Sequence, residues 1–262
     1  MKNPLKLQSR APHLSQPELR PWNPRVPKQH YHVKAVDFWT DDELCLLYTT
    51  ILEMWDSRDF KERQKAFFVL FMINTGARLD ETVHVDLELC GPDKIRLVRT
   101  KNGKARDIEW FPEFYPFYSE YVNEMLNREE YWMFPRRELG KIRTSWGPRV
   151  VGFTRRKGPM CCKTADTWWN DVISRVEIKR LTSHVGGRKT FATWAAEVMR
   201  PADLQDQLGH ADYQVTDKIY RGSIPGRRFN KTVPNWRVFL CRGDETLIRK
   251  VRSQYAQYAI LA

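Results

Sequence analysis

The chain has 262 residues, of which 42% are hydrophobic and 13% aromatic, so it is long enough and apolar enough to form one large folded domain. Its 44 Lys and Arg residues against 32 Asp and Glu residues leave a net charge of +12, which favours a polyanionic partner. This composition excludes an intrinsically disordered chain, and no apolar run approaches the roughly 20 residues that are needed to cross a bilayer.

The five cysteines do not form the pattern of a metal site or of a disulfide framework. Three of them are isolated in the sequence, and the other two, Cys161 and Cys162, are adjacent, so the chain contains no CxxC pair. An odd number of cysteines and an N-terminus without an apolar signal region are typical of proteins of the reducing cytoplasm. We therefore expect a cytoplasmic protein that uses no metal and no cofactor.

Residues 1–34 are rich in proline and in basic residues, and Glu18 is the only acidic residue among them. The prolines recur too closely for a helix. We predict an extended basic arm that is suited to contacts with phosphate groups, and a disordered tail is the alternative interpretation.

Two helices are predicted after the arm. Thr40 is placed as an N-cap, with Glu43 three residues later as a capping box requires, and leucines follow at helical spacing. The second helix runs from about Lys61 through a continuous apolar stretch and stops at Gly76. Because this helix is apolar on all sides, it is predicted to lie at the centre of the core.

A β-hairpin is predicted next, since residues 94–99 and 105–110 alternate as strands do and the Asn-Gly pair between them is the strongest short hairpin signal. The remaining predicted elements are helices at about 113–127, 164–177, 187–199, 201–208, 212–220 and 244–258, and a strand at 236–240. The fold class is therefore mainly α with a small antiparallel β-sheet (α+β). Residues 35–235 are predicted to form the main domain, and residues 236–262 a C-terminal strand and helix.

Basic residues concentrate between the predicted helices. Residues 136–157 and 221–237 carry many Lys and Arg residues and, between them, a single acid, Glu138. Aromatic residues are interleaved with these charges. Loops of this composition favour a DNA-contacting surface over a merely solvated face.

Two polar segments stand out in the N-terminal half. Arg78 lies just beyond the glycine that ends the second helix, and Glu81 comes three residues later, so the two side chains can pair on one helical turn. A surface ion pair after a helix cap is the alternative interpretation. The predicted hairpin projects Lys101 and Lys104 at its tip, which taken alone is ordinary turn chemistry.

Two more polar segments lie in the C-terminal half. A glycine-containing turn opens the helix at about residue 187 and holds His184 and Arg188 at its start. A helix N-terminus with an added arginine is suited to binding phosphate. His210 follows the glycine that ends the next helix, a position that faces outward, and Tyr220 comes later in the chain.

Taken in order, these segments resemble the catalytic domain of the tyrosine-recombinase, or phage-integrase, family. The shared pattern is T-G-x-R-x-x-E, then a β-turn lysine, H-x-x-x-R-K-T-F-A-T, L-G-H and a tyrosine, across residues 40–222. Any one fragment is weak, whereas five in this order at family-like separations are strong. The resemblance implies a buried helical core, a three-stranded sheet that bears the lysine, and a catalytic pocket on a basic face.

The resemblance also implies a role for each cationic residue. Arg78 and Arg188 would hold the two non-bridging oxygens of the scissile phosphate and stabilise the charge of the transition state. Lys101 would protonate the leaving 5′-oxygen, and Lys104 would do so if the hairpin register differs.

Two histidines and a tyrosine complete the site that the resemblance implies. His184 would assist proton transfer, His210 would hydrogen-bond the phosphate, and Tyr220 would attack it to form a 3′-phosphotyrosine intermediate. Because the covalent intermediate conserves the bond energy, the reaction would need neither ATP nor metal.

The sequence departs from the family pattern in three places. His184 and Arg188 are one residue further apart than in the usual H-x-x-R, and glycine can absorb the extra residue as a bulge. The stretch from His210 to Tyr220 is also one residue longer than usual, and Tyr213 is a rival nucleophile. Family members commonly carry a separate DNA-binding domain where this chain has only the arm.

The resemblance implies double-stranded DNA as the partner and tetramers on paired DNA sites, assembled through the terminal helix. A terminal helix that folds back on its own core is the alternative interpretation. We predict DNA strand cleavage and rejoining in site-specific recombination or DNA integration, by a protein associated with DNA in the cytoplasm. Two alternatives remain open, namely a type IB topoisomerase-like nicking and closing activity, and a DNA-binding protein on a degenerate recombinase scaffold.

Overall fold

The computed structural model of the protein describes residues 38–101, 103–144, 147–211, 214 and 233–260. Within these ranges, residues 137–144, 147–157 and 257–260 are described by their backbone alone. The predicted arm, Tyr213, Tyr220 and all of the predicted helix at 212–220 except Gln214 lie outside the described residues.

The described part of the chain is mainly helical. In chain order its α-helices are α1 (Asp41–Trp55), α2 (Phe60–Thr75), α3 (Leu79–Val83), α4 (Tyr115–Asn127), α5 (Cys162–Ser174), α6 (Thr190–Ala195), α7 (Pro201–Leu208), α8 (Asn235–Leu240) and α9 (Glu245–Ile260). A π-helical turn over Ser183–Lys189 leads directly into α6. Among the described residues, every helix is too short or too polar to span a membrane.

Two antiparallel hairpins make up the strands of the described residues. Strands β1 (Ile95–Leu97) and β2 (Arg106–Ile108) pair at the predicted position. Strands β3 (Pro135–Thr144) and β4 (Gly147–Pro159) form a second, longer hairpin. The predicted mainly α fold with a small antiparallel sheet is confirmed, although the sheet next to the lysine turn has two described strands rather than the three that the resemblance implies.

The β3–β4 hairpin replaces a predicted loop, because residues 136–157 are paired strands over most of their length. Leu139 lies opposite Phe153, and the register shifts between Gly140 and Lys141. The prediction was wrong because the many basic residues interrupt the alternation of polar and apolar positions from which strands are recognised. A paired backbone satisfies its hydrogen bonds whatever its side chains are.

Helix α2 is the centre of the core, as its continuous apolar sequence predicts. Residues from Gln64 to Thr75 are buried on every side of this helix, and each large apolar side chain among them contributes about 1.5–3 kcal/mol. Gly76 ends α2 in the left-handed region at φ 67°. A Cβ at Gly76 would run into the ring of Phe191, so the close packing of α6 also requires glycine here.

Aromatic packing joins the start of the fold to its C-terminal half. The Trp39 ring stacks on Trp169 of α5 with centroids 5.7 Å apart, and the Trp194 indole donates to the Trp39 carbonyl at 3.2 Å. The predicted capping box follows directly, since Thr40 accepts from the Glu43 amide while the Glu43 carboxylate accepts from the Thr40 amide. These contacts fix α1, α5 and α6 around α2.

The predicted strand at 236–240 is wrong, because these residues form helix α8. The Asp41 carboxylate caps its N-terminus by accepting from the amides of Asn235 and Trp236, each at 3.0 Å. The alternation that predicts a strand places Arg237 on a polar face. Arg237 is instead fully buried and pairs with the buried Glu113, which no local pattern reveals.

Helix α9 packs against its own chain. Ile248, Val251 and Tyr255 are buried with Cys241 in a small cluster. Arg237 donates to the side-chain oxygen of Gln254 at 2.7 Å, which ties α9 to α8. The described apolar side chains of this helix therefore pack within the chain, as the folded-back alternative requires.

Candidate active site

Arg78 and Glu81 form the predicted pair at the start of α3. The Arg78 amide donates to Glu81 Oε2 at 2.8 Å, and its Nη1 donates to Oε1 at 2.9 Å. The Glu81 carboxylate is only 2% exposed, whereas the Arg78 side chain is 26% exposed. This is therefore no surface ion pair, because a buried carboxylate holds an arginine that reaches the surface.

Arg106 on β2 is the second arginine on the same carboxylate. Its Nη2 donates to Glu81 Oε2 at 2.7 Å, and its Nη1 donates to Glu81 Oε1 and to the Leu208 carbonyl, each at 3.2 Å. Burial, more than any neighbouring charge, lowers the pKa of Arg106. The arginine thereby connects β2 both to α3 and to the end of α7.

Arg188 is the most deeply buried of the three arginines, at 4% exposure. Its Nη1 donates to the Gly76 carbonyl at 2.8 Å, and its Nη2 donates to the Leu208 carbonyl. Burial, followed by the positive charges of Arg78 and Arg106, lowers the pKa of Arg188 to about 9. Arg188 and Arg106 thus meet at one carbonyl oxygen, immediately before the segment that carries His210.

The extra residue between His184 and Arg188 lies in the π-helical turn. The Thr190 amide reaches back to the Val185 carbonyl, five residues earlier, instead of four as in an α-helix. This turn holds one more residue than an α-helical turn. His184 and Arg188, four residues apart, therefore have about the relative orientation that residues three apart have in an α-helix. A Cβ on Gly186 would lie 2.6 Å from the Trp39 ring, so the turn also needs glycine where it packs.

Both histidines lie within reach of the arginine charges. Partial desolvation, followed by the charges of Arg188 and Arg78, lowers the pKa of His184, although this residue is exposed. The same two effects lower the pKa of the half-buried His210 to about 4. Both imidazoles are therefore neutral at neutral pH and can accept or donate a hydrogen bond without adding positive charge.

The pKa of His210 makes the stability of the protein depend on pH. We expect the free energy of unfolding to fall as the pH is lowered from 6.5 towards 4, because folded His210 stays neutral there while a histidine in the unfolded chain, at its ordinary value of 6.5, takes up a proton. A His210→Gln variant should lack this part of the decline. Titration of the His210 ring protons by NMR tests the cause directly, and a midpoint near 6.5 would contradict it.

The predicted lysines lie on the turn between β1 and β2. Lys101 and Lys104 are both exposed, and neither side chain forms an ion pair with another described residue. The turn is joined to the arginines through β2, which begins at Arg106. Tyr220 lies outside the described residues, so the structure brings together Arg78, His184, Arg188 and His210, and it places the Lys101 turn on the strand pair that Arg106 anchors.

Arg106 is the site residue that the sequence interpretation missed. It was assigned only as part of a strand, although it lies two residues before the buried Ile108 and therefore on the same face of β2. An arginine on the inward face of a strand needs a buried acid as its partner. That alternation was the available signal, and Glu81 is the acid.

The described side chains of the site carry a surplus of positive charge. Three guanidinium groups, those of Arg78, Arg106 and Arg188, surround one carboxylate, that of Glu81, so three positive charges against one negative leave a surplus of two. Within the described residues, no three His, Cys, Asp or Glu side chains come together as metal ligands would. A cluster with this surplus attracts an anion such as a phosphodiester.

The comparisons with known proteins identify a family and a fold. The model of the phage integrase family matches residues 40–225 of the chain. The XerH site-specific recombinase has been solved with its palindromic difH substrate after cleavage, and that structure is 15% identical with a TM-score of 0.52, over 70% of this chain and 48% of that one. The pre-cleavage complex of XerH with difH is 14% identical with a TM-score of 0.52, over 76% of this chain and 54% of that one.

A second recombinase and the curated protein sequences were also compared with this chain. The XerA recombinase is 17% identical with a TM-score of 0.49, over 83% of this chain and 64% of that one. The chain spans less than two thirds of the length of each of these recombinases. Among curated protein sequences there is no significant match. At such identities the likeness to XerH establishes the fold alone.

Proposed function

Because this chain belongs to the phage integrase family, we propose that it cleaves and rejoins double-stranded DNA through a phosphotyrosine intermediate in site-specific recombination or DNA integration. The observation that carries this proposal is the cluster of Arg78, Arg106 and Arg188 around the single carboxylate of Glu81. A phosphodiester in pentacovalent form carries more negative charge than in its ground state. A preorganised cationic surplus therefore lowers the barrier to its formation.

Each residue has a task in the proposed reaction. The Tyr220 oxygen attacks the phosphorus and forms the 3′-phosphotyrosine bond while the bond to the 5′-oxygen breaks. Arg78 and Arg188 stabilise the non-bridging oxygens, and the exposed Lys101 on its turn gives a proton to the departing 5′-oxygen. Rejoining reverses these steps when a 5′-hydroxyl attacks the phosphotyrosine.

The neutral histidines support the proton transfers. A tyrosine hydroxyl has an ordinary pKa of about 10, so its attack needs both a nearby acceptor and the cationic surroundings. The lowered pKa of His184 makes its free nitrogen available as that acceptor. The lowered pKa of His210 leaves an N–H that donates to a phosphate oxygen.

The partner in this proposal is duplex DNA, held on paired sites by a tetramer of the chain. The exposed Lys101 and Lys104, together with the basic residues of the arm and of the 136–157 and 221–237 segments, would supply the phosphate contacts. Such contacts position the DNA without reading its sequence.

A covalent adduct on nicked DNA in the presence of EDTA tests the proposed function. A nick just beyond the cleavage point lets the freed fragment diffuse away, so the phosphotyrosine accumulates. A nicked duplex library of random sequence is the probe, and the adduct should survive denaturation and form at the same rate in excess EDTA, because the arginines supply the positive charge. A strict requirement for magnesium would contradict the proposal. Plasmid relaxation without exchange between two duplexes would favour the topoisomerase-like alternative.

A further inference from the structure

We propose that Arg106 is a positioning residue, which holds the segments of Arg78, Lys101 and His210 in register with one another. The inference deepens the proposed function and rests on it. Arg106 itself is not assigned to the phosphate, because its Nη1 and Nη2 both pair with the Glu81 carboxylate, which neutralises its charge, whereas Arg188 donates to uncharged carbonyls.

The contacts of Arg106 reach three separate elements. Its backbone belongs to β2, opposite Leu97 of β1, so it sits at the base of the turn that carries Lys101. Its side chain makes a two-pronged ion pair with Glu81, and Glu81 in turn holds the backbone and the side chain of Arg78. Its third contact is the Leu208 carbonyl, two residues before His210.

The end of α7 is shaped to receive this guanidinium. Gly209 has φ 59°, and a Cβ at this position would lie 2.5 Å from Arg106 Nη1. The glycine is therefore required by its backbone conformation, and a side chain here would also displace the guanidinium of Arg106. The same Leu208 carbonyl accepts from Arg188, so the two arginines share the C-terminal end of α7, which precedes His210.

Stability alone does not account for such an arrangement. A buried ion pair costs desolvation free energy, and apolar side chains of similar size often serve folding equally well. Unlike an apolar side chain, the planar guanidinium of arginine donates in fixed directions, so it can hold two acceptors from different elements in place at once. Errors of about 1 Å in the placement of catalytic groups cost on the order of a hundredfold in rate. The expected defect of an Arg106 variant is therefore in turnover rather than in DNA affinity.

The test compares Arg106→Gln and Arg106→Lys with Arg63→Gln in the full-length chain. Arg63 is a matched control, because it also bridges two elements, α2 and α4, through Glu120 and Glu124 and is 21% exposed. We expect Arg106→Gln to lower the cleavage rate at saturating nicked DNA by about tenfold to a hundredfold, with unchanged DNA affinity. Arg106→Lys should recover only part of the rate, and Arg63→Gln should retain all of it.

A chemically altered substrate shows whether the Lys101 turn is misplaced. When sulfur replaces the bridging 5′-oxygen, the leaving group no longer needs a proton. If Arg106 positions the turn of Lys101, the loss in the Arg106→Gln variant should be smaller on this substrate than on ordinary DNA. An equal loss on both substrates would remove Lys101 from the set of groups that Arg106 positions.

The titration of His210, which requires no catalysis, tests this proposal separately from the proposed function. In Arg106→Gln, the pKa of His210 should rise towards its ordinary value, as measured by NMR, because a nearby positive charge and a tether are lost together. If the wild-type chain forms no adduct, the proposed function fails while this titration still tests whether Arg106 acts on the segment that carries His210. Wild-type cleavage by Arg106→Gln, an unchanged titration of His210, or an equal rate loss in Arg63→Gln would each overturn the proposal.

Discussion

Substitution of Tyr220 by phenylalanine should reduce the covalent protein–DNA adduct below detection and leave DNA affinity nearly unchanged. Only one hydroxyl is removed, and it is the group that forms the bond to phosphorus, so no other side chain can replace its chemistry. The assay is adduct formation on nicked duplex DNA, with binding measured separately.

The matched control for this substitution is Tyr213→Phe, which removes a hydroxyl seven positions earlier and should cleave normally. Peptide mapping of the wild-type adduct identifies the modified residue independently. Adducts in the Tyr220→Phe variant, or a phosphotyrosine mapped to Tyr213, would show that the nucleophile is assigned to the wrong tyrosine.

Replacement of Arg188 by alanine should lower the cleavage rate by about a hundred- to a thousandfold, which is the usual cost of losing one preorganised donor at a developing negative charge. The same substitution should lower the free energy of unfolding by less than it raises the barrier to cleavage. The Gly76 carbonyl loses its arginine donor, at about 1–3 kcal/mol for a buried group, whereas the Leu208 carbonyl keeps Arg106. The same change removes a buried charge that Arg78 and Arg106 repel, and this relief offsets part of the loss.

Arg188→Lys should restore little of the rate, because an ammonium group cannot reach two carbonyls in fixed directions as a guanidinium does. The control is Arg200→Ala, which removes an exposed arginine that pairs with Asp203 within its own helix. Cleavage rates at saturating DNA and thermal unfolding, measured for all three variants, separate a loss of catalysis from a loss of stability. A near-normal rate in Arg188→Ala would exclude this residue from the site.

The sequence predicts best those features that arise from local chemistry. The capping box of Thr40 and Glu43 and the left-handed glycine Gly76 each act within a few residues, and each is present as predicted. Arg237 and Arg106 were misjudged for the opposite reason. Their acids, Glu113 and Glu81, are distant in sequence, so no local pattern reveals which carboxylate compensates the charge of either arginine.

The candidate site also combines features that can be predicted from the sequence with features that depend on the folded chain. The resemblance in sequence predicts that Arg78, Arg188 and His210 share one site, and these three residues lie close together in the structure. Only the resemblance could suggest this, because local patterns carry no long-range arrangement. It does not supply the electrostatic state of the site. The lowered pKa of His210 depends on burial and on the summed charge of the neighbouring arginines, and both arise only when the chain is folded.

The widened helical turn at Ser183–Lys189 has a consequence for how this chain is compared with its relatives. One residue added to a regular α-helix rotates every later side chain by about 100°. Here the residues beyond the turn face the core, since Phe191 and Trp194 are buried. Alignment without a gap would therefore match either His184 or Arg188 to the wrong neighbour. Residue spacing alone is therefore a poor guide in this segment, because the π-helical turn around Gly186 takes up the extra residue.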